Sequence, residues 1–311
     1  MNLNLVSDRP PLSSLLRIFL IVLLLGWIFV GQTMGILAGS LIYEGNFLVD
    51  MSDPTHHPDL RNSILLSQGV GSLIGLILLP WYYLKFSEQR DLTNFFKAEH
   101  QSPLLVLGIG IAVFGLGFAL SPVVEWNANV QFPEWMSGFG QWVRKTEGMA
   151  ESIIKSITGN LTPLAFVSTF LVVAILPAIG EELVFRGLIQ TELMRAVRNP
   201  HVSILITSVL FSAIHFQFLG FVPRMLIGMF LGYLYFWSGN LWVPVIAHFF
   251  NNGIQLVGLY LFQKDIIHFD VERPESAPLP MVGMSLVVML LILYYLKNYF
   301  TSRSTSSRDL A

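Results

Sequence analysis

The chain has 311 residues, 53% of them hydrophobic and only 12% charged, with a formal net charge of -2 and a mean hydropathy of +0.62. A soluble globular chain carries about a quarter charged residues, so this one lacks the polar surface to cover itself in water, which excludes a soluble enzyme and a disordered chain. It contains no cysteine, hence no disulfide framework, thiolate nucleophile, Cys metal site or Cys-linked lipid anchor, and its charge balance leaves no nucleic-acid footprint.

At about 20 apolar residues per span, the length allows roughly eight membrane helices, and uncharged runs supply them in order. The first four lie between Arg17 and Glu44, Arg61 and Lys85, His100 and Glu125, and Lys155 and Glu181; a fifth covers Pro200 to Phe216. Ser238-Gly239-Asn240 interrupts the stretch from Arg224 to Lys264 as a turn between a sixth and a seventh, and Met281 to Leu296 forms an eighth. The first run is too long for a cleaved signal peptide. The Ser- and Thr-rich tail from Thr301 to Ala311 reads as disordered. The expected fold is therefore an all-α polytopic membrane helix bundle with its polar site inside the membrane. It divides into an N-terminal three-span region (1–160), a core of helices four to seven (161–261), and a last span with its tail (262–311).

With the amino terminus inside, ten basic residues fall on inner segments and seven on outer ones. That bias places both termini in the cytoplasm of a multi-pass cell-membrane protein, of prokaryotic plasma-membrane type. The loop 126–160 holds Trp126, Trp135 and Trp142 among mixed charges, which suits a helix in the membrane interface or a cap on the helix ends. The pairs Gly35/Gly39 and Gly228/Gly232 read as close helix-packing sites.

Ionisable groups at membrane depth are expensive and each is a candidate for function. They concentrate between Gly180 and Asn252. In Glu181-Glu182-Leu183-Val184-Phe185-Arg186 the second carboxylate and the guanidinium share a helical face and can pair, while Glu181 points about 100° away. The bland alternative is a surface ion pair at a helix end. Phe211-Ser212-Ala213-Ile214-His215 follows; an antiparallel hairpin turning at Asn199-Pro200 brings His215 close to the depth of the glutamates. In His248-Phe249-Phe250-Asn251-Asn252 the first and last residues share a face, for chemistry or as interhelical hydrogen-bond glue. Together these supply a base, a group to orient water and donors for an oxyanion.

Glu181-Glu182-x-x-x-Arg186, Phe211-x-x-x-His215 and His248-x-x-x-Asn252, in that order over roughly Leu161 to Leu261, resemble the three motifs of the CPBP (ABI) family of membrane proteases. That family includes type II CAAX prenyl proteases and bacteriocin-processing or self-immunity proteins. The resemblance implies an intramembrane glutamic endopeptidase whose site opens toward the cytoplasm. Glu181 would activate water, His215 would help hold it, and His248 and Asn252 would polarise the scissile carbonyl, with Glu182 and Arg186 in support. It implies a membrane-associated protein or peptide substrate and no nucleic-acid partner. No cofactor is expected, although Glu181, Glu182, His215 and His248 could ligate zinc in a metalloprotease version. Against zinc stands the absence of His-Glu-x-x-His and of Cys. The competing class is a non-catalytic membrane protein (immunity factor, scaffold or transporter) using the same polar cluster for binding.

Overall fold

A computed structural model describes residues 14–86, 95–96, 101–159, 161–268 and 275–306. Among them there are helices and no strands. The helix α1 (Ser14–Ile42) leads through the short α2 (Phe47–Asp50) to α3 (Leu60–Ser72), which continues through a π-helical stretch, Leu73–Leu78, into α4 (Leu79–Phe86). Next come α5 (Pro103–Ala128) and α6 (Ser137–Thr158). One long rod then joins α7 (Pro163–Phe170), α8 (Leu176–Glu182) and α9 (Thr191–Val197) through π-helical segments Leu171–Ile175 and Leu183–Gln190. The chain closes with α10 (Pro200–Ala213), α11 (Phe221–Ser238), α12 (Trp242–Gln263) and α13 (Leu279–Ser306).

Seven of the described helices are long and apolar enough to cross a membrane, and the expected fifth span, α10, is the short exception at 14 residues. The chain is thus a multi-pass membrane protein. At 1.5 Å per residue α10 reaches only about 21 Å, less than a hydrocarbon core of about 30 Å, so the segment after it, with His215, starts inside the thickness of the bundle. The last helix runs on to Ser306. It extends helical backbone through half of the tail expected to be disordered; residues 307–311 lie outside the described residues.

Local sequence explains the boundaries. Ser102-Pro103, Thr162-Pro163 and Asn199-Pro200 each pair a capping side chain with a proline in the first turn, and Ser102, Thr162 and Asn199 accept from the backbone of α5, α7 and α10 respectively. Prolines inside a rod act differently. The fourth uncharged run ends at Glu181, yet the helix passes Pro177 and continues to Val197. Pro80 and Pro177 each follow a π-helical stretch. A proline has no N–H for the carbonyl one turn back, and the wider turn accommodates the lost bond without ending the helix.

The bundle has two distinguishable ends. At one, Arg61 Nη2 donates to Ala165 O (2.9 Å), Gln263 Nε2 to Thr158 O (2.8 Å) and Ser276 N to Glu125 (3.2 Å), which ties together the loops around α6. At the other, Leu241 N donates to Phe95 O (3.0 Å), and Leu24, Leu84, Phe95, Leu193 and Leu241 share one core cluster. The described chain begins and ends at this second end. Helix α6 buries Val143 and Ile157 and leaves Trp142 exposed, as is Trp135 in the turn before it, so it is a helix laid across the bundle end.

Candidate functional site

The polar residues singled out in the sequence fall on the rod α7–α9, the end of α10, and α12. Glu182 closes α8, and Arg186 lies on the π-helical stretch behind it. Their side chains, both 0% exposed, pair at 2.8 Å between Arg186 Nη1 and Glu182 Oε1. The motif therefore sits inside a buried rod, and the alternative of a surface ion pair at a helix end is removed. Helix α11 approaches this stretch through its small residues. Arg186 Nη2 donates to Gly228 O and Gln190 Nε2 to Gly232 O, both at 3.0 Å. A Cβ on Gly232 would come within 2.9 Å of Gln190 Oε1, so the glycine opens the carbonyl to the amide.

His248 joins the pair from α12. Its Nδ1 donates to Glu182 Oε1 at 2.8 Å, which fixes the ring, and its Nε2 lies 3.9 Å from Glu181 Oε2. The first contact is a hydrogen bond and the second is too long for one, but a water seated beside the gap can reach both atoms. Glu181 makes no direct hydrogen bond among the described residues, and its side chain keeps 14% exposure where Glu182 keeps none.

Phe211 organises the rest. Its ring faces the Arg186 guanidinium at 4.6 Å and meets Phe185, His215 and His248 edge-on at 5.2, 5.4 and 5.9 Å. His215 Nδ1 donates to Phe211 O at 2.9 Å. A carbonyl can only accept, so Nδ1 carries hydrogen and Nε2 is left for another partner. His215 lies within electrostatic reach of Glu181 and His248.

Asn252 is placed differently. Its Nδ2 donates to Val173 O at 3.3 Å and its Oδ1 accepts from Asn251 at 3.0 Å. Val173 is the carbonyl four residues before Pro177, which has no N–H to offer it. The structure thus shows Asn252 as the interhelical bond that repairs the proline break. Six of the seven motif residues converge; the seventh, Asn252, braces the rod that carries Glu181, Glu182 and Arg186. Among the described residues no three His, Asp or Glu side chains converge as metal ligands.

Sequence reasoning passed over the surroundings of His215. The segment 214–220, with Phe216 in the left-handed region (φ 54°), is held from three sides. Asn127 donates to Phe218 O (3.1 Å) and accepts from Val222 N (2.8 Å), Glu147 of α6 accepts from Leu219 N (2.8 Å), and Phe139 and Trp142 meet Phe218 edge-on. Irregular backbone at membrane depth has to be satisfied within the protein, and these contacts do so. The only sequence signal was a polar Asn127 beside Trp126, at the end of an apolar run.

Comparison with known proteins gives a family match over the same part of the chain. The profile of the family described as Type II CAAX prenyl endopeptidase Rce1-like matches residues 163–254. The uncharacterized protein YpbD of Bacillus subtilis (strain 168) is 36% identical over 84 residues, which is 26% of this chain and 40% of that protein. The alignment thus spans less than half of the relative. No solved structure matches. The resemblance read from three short motifs is matched by the Rce1-like family over residues 163–254, the stretch that contains every one of those motifs.

Proposed function

We propose that the chain is an intramembrane endopeptidase of CAAX-protease-like type, which hydrolyses a peptide bond with water activated by Glu181. One observation carries the reading: Arg186 and His248 both bond to Glu182 Oε1, and Glu181 is left as the partly exposed carboxylate facing His248 Nε2. A water between Glu181 and His248 gives its proton to Glu181 and attacks the scissile carbonyl. His248, doubly protonated and bonded to Glu182 through Nδ1, presents Nε2–H to the oxyanion. The charges of Glu181, Glu182, Arg186 and His248 then cancel, as a buried cluster requires. Asn252 retains a second amide hydrogen beyond its bond to Val173 and can share the oxyanion. His215 Nε2 orients the water. Glu181 finally returns its proton to the leaving amine.

The zinc version draws less support. Glu182 already serves a guanidinium and His248 through Oε1, and a dication beside Arg186 would be repelled. The substrate is a membrane-associated protein or peptide. Purified protein in liposomes should cleave such a substrate, and Glu181→Gln should abolish cleavage while leaving the melting temperature in place. Cleavage that survives Glu181→Gln removes the mechanism; loss of any protective activity in cells only when the fold is lost would favour the immunity or scaffold class.

For sidedness we keep the charge-based orientation, with both termini in the cytoplasm of the cell membrane. His215 and segment 214–220 lie toward the α6 end, away from the termini, so an opening along that segment would face outside in this orientation. The absence of cysteine makes the test clean. A single cysteine at Ser52 should react with an impermeant reagent from outside, and one at Ser302 should not; the reverse pattern restores the cytoplasmic opening.

A further inference from the structure

Arg224 is the cation near the site that the mechanism does not use. It lies six residues into the apolar helical stretch Phe218–Ser238, about 9 Å along it. A guanidinium so placed ordinarily pairs with a carboxylate. Here its hydrogen bonds go to neutral acceptors of one residue: Nη2 to Gln217 Oε1 (2.8 Å) and Nη1 to Gln217 O (3.4 Å). No ion pair involves it among the described residues. Two carboxylates lie within electrostatic reach, Glu147 and Glu181. Glu147 commits Oε1 to Leu219 N, and Glu181 is the proposed base. His215, two residues from Gln217, is in the same field.

The segment is built to keep the guanidinium in place. Asn127 and Glu147 fix the backbone around Phe218 and Leu219, and Gly220 leaves room beside Nη2, where an added Cβ would sit 3.2 Å away. A positive charge is therefore held within electrostatic reach of the reacting carboxylate, with no ion pair among the described residues and with donors still open.

We propose that Arg224 receives a carboxylate of the bound peptide and so selects where the chain is cut. The proposal rests on the proteolytic reading and deepens it. The carboxylate can come from the peptide's own C-terminus or from an Asp or Glu side chain near the scissile bond; either would form a charge-assisted, bidentate pair with the guanidinium. Salt bridging to the substrate also supplies the charge that burial of Arg224 calls for.

The test uses the full-length protein in liposomes and fluorescent apolar decapeptides in three forms: free acid, C-terminal amide, and amide with one internal Asp. Cleavage is measured for the native chain and Arg224→Gln, and equilibrium binding for Glu181→Gln and for Glu181→Gln combined with Arg224→Gln. At least one carboxylate form should be cut and bound about tenfold better than the plain amide. Arg224→Gln should bring it down to the amide level and leave the amide within about twofold, and Arg224→Lys should restore part of the preference. Preference for the free acid identifies the terminus, preference for the Asp form a side chain. Equal loss on all three peptides would mean that Arg224 acts on Glu181 or on the fold, and would overturn the proposal. Binding indifferent to the carboxylate also overturns it, whatever the cleavage result. Carboxylate-dependent binding without cleavage by the native chain would instead remove the proteolytic reading and leave the receptor standing.

Discussion

Two helix contacts in this molecule use the same device for different ends. Where α1 meets α3, Gly35 and Gly39 face Ser67 and Ser63, and a Cβ on Gly35 would lie 2.1 Å from Ser67 O. Two backbones touch there, and no charged group takes part. Where α11 meets the π-helical stretch Leu183–Gln190, Gly228 and Gly232 are spaced the same way, but their carbonyls accept from Arg186 and Gln190. A missing side chain admits either a backbone or a polar head; which one depends on what the facing helix carries. In lipid, where burial of apolar surface gives helices no mutual drive, close packing serves the first contact and hydrogen bonding the second.

The sharpest way to break this contrast is Arg186→Met. It leaves Glu182 buried against His248 without its cation, and stability should fall by about 3–5 kcal/mol, read as a lowered melting temperature in detergent, with cleavage lost. A melting curve like that of the native chain would show that the pair does not hold the rod. Gly35→Leu tests the other contact. Overpacking there should lower stability by about 1–3 kcal/mol, and cleavage per folded molecule should persist, because α1 and α3 supply none of the motif residues; a drop in specific activity would make the first contact part of the site.

Smaller effects separate the bracing bonds from the chemistry. Gln190→Met removes one interhelical bond to Gly232 and should lower stability by about 0.6–1.7 kcal/mol with little change in turnover. Asn252→Ala should show a similar loss of stability, since Val173 O loses its donor, and in addition a fall in kcat if its remaining hydrogen meets the oxyanion. A change in melting temperature alone would reduce Asn252 to a brace. The least effect is expected from metal removal: dialysis against a chelator should leave cleavage unchanged, and activity restored only by added zinc would overturn the metal-free mechanism.

The amino-acid sequence by itself determined that the chain is a membrane helix bundle, because hydropathy depends on composition over about 20 residues and needs no knowledge of neighbours. It also marked Glu181, Glu182, Arg186, His215 and His248, because a charge inside an apolar run is visible without coordinates. The pairing of Glu182 with Arg186 followed from helical spacing, which is a local property. Only the tertiary structure decided the rest. It carried the rod past Pro177, joined His248 to Glu182 from 66 residues away, and gave Asn252 to the carbonyl that the proline had freed. It also brought Arg224, which the sequence shows only as the edge of an apolar stretch, within electrostatic reach of Glu181. These relations depend on how helices distant in the chain are rotated and how deep each one ends, and a periodic pattern along one helix holds no information about the depth of another.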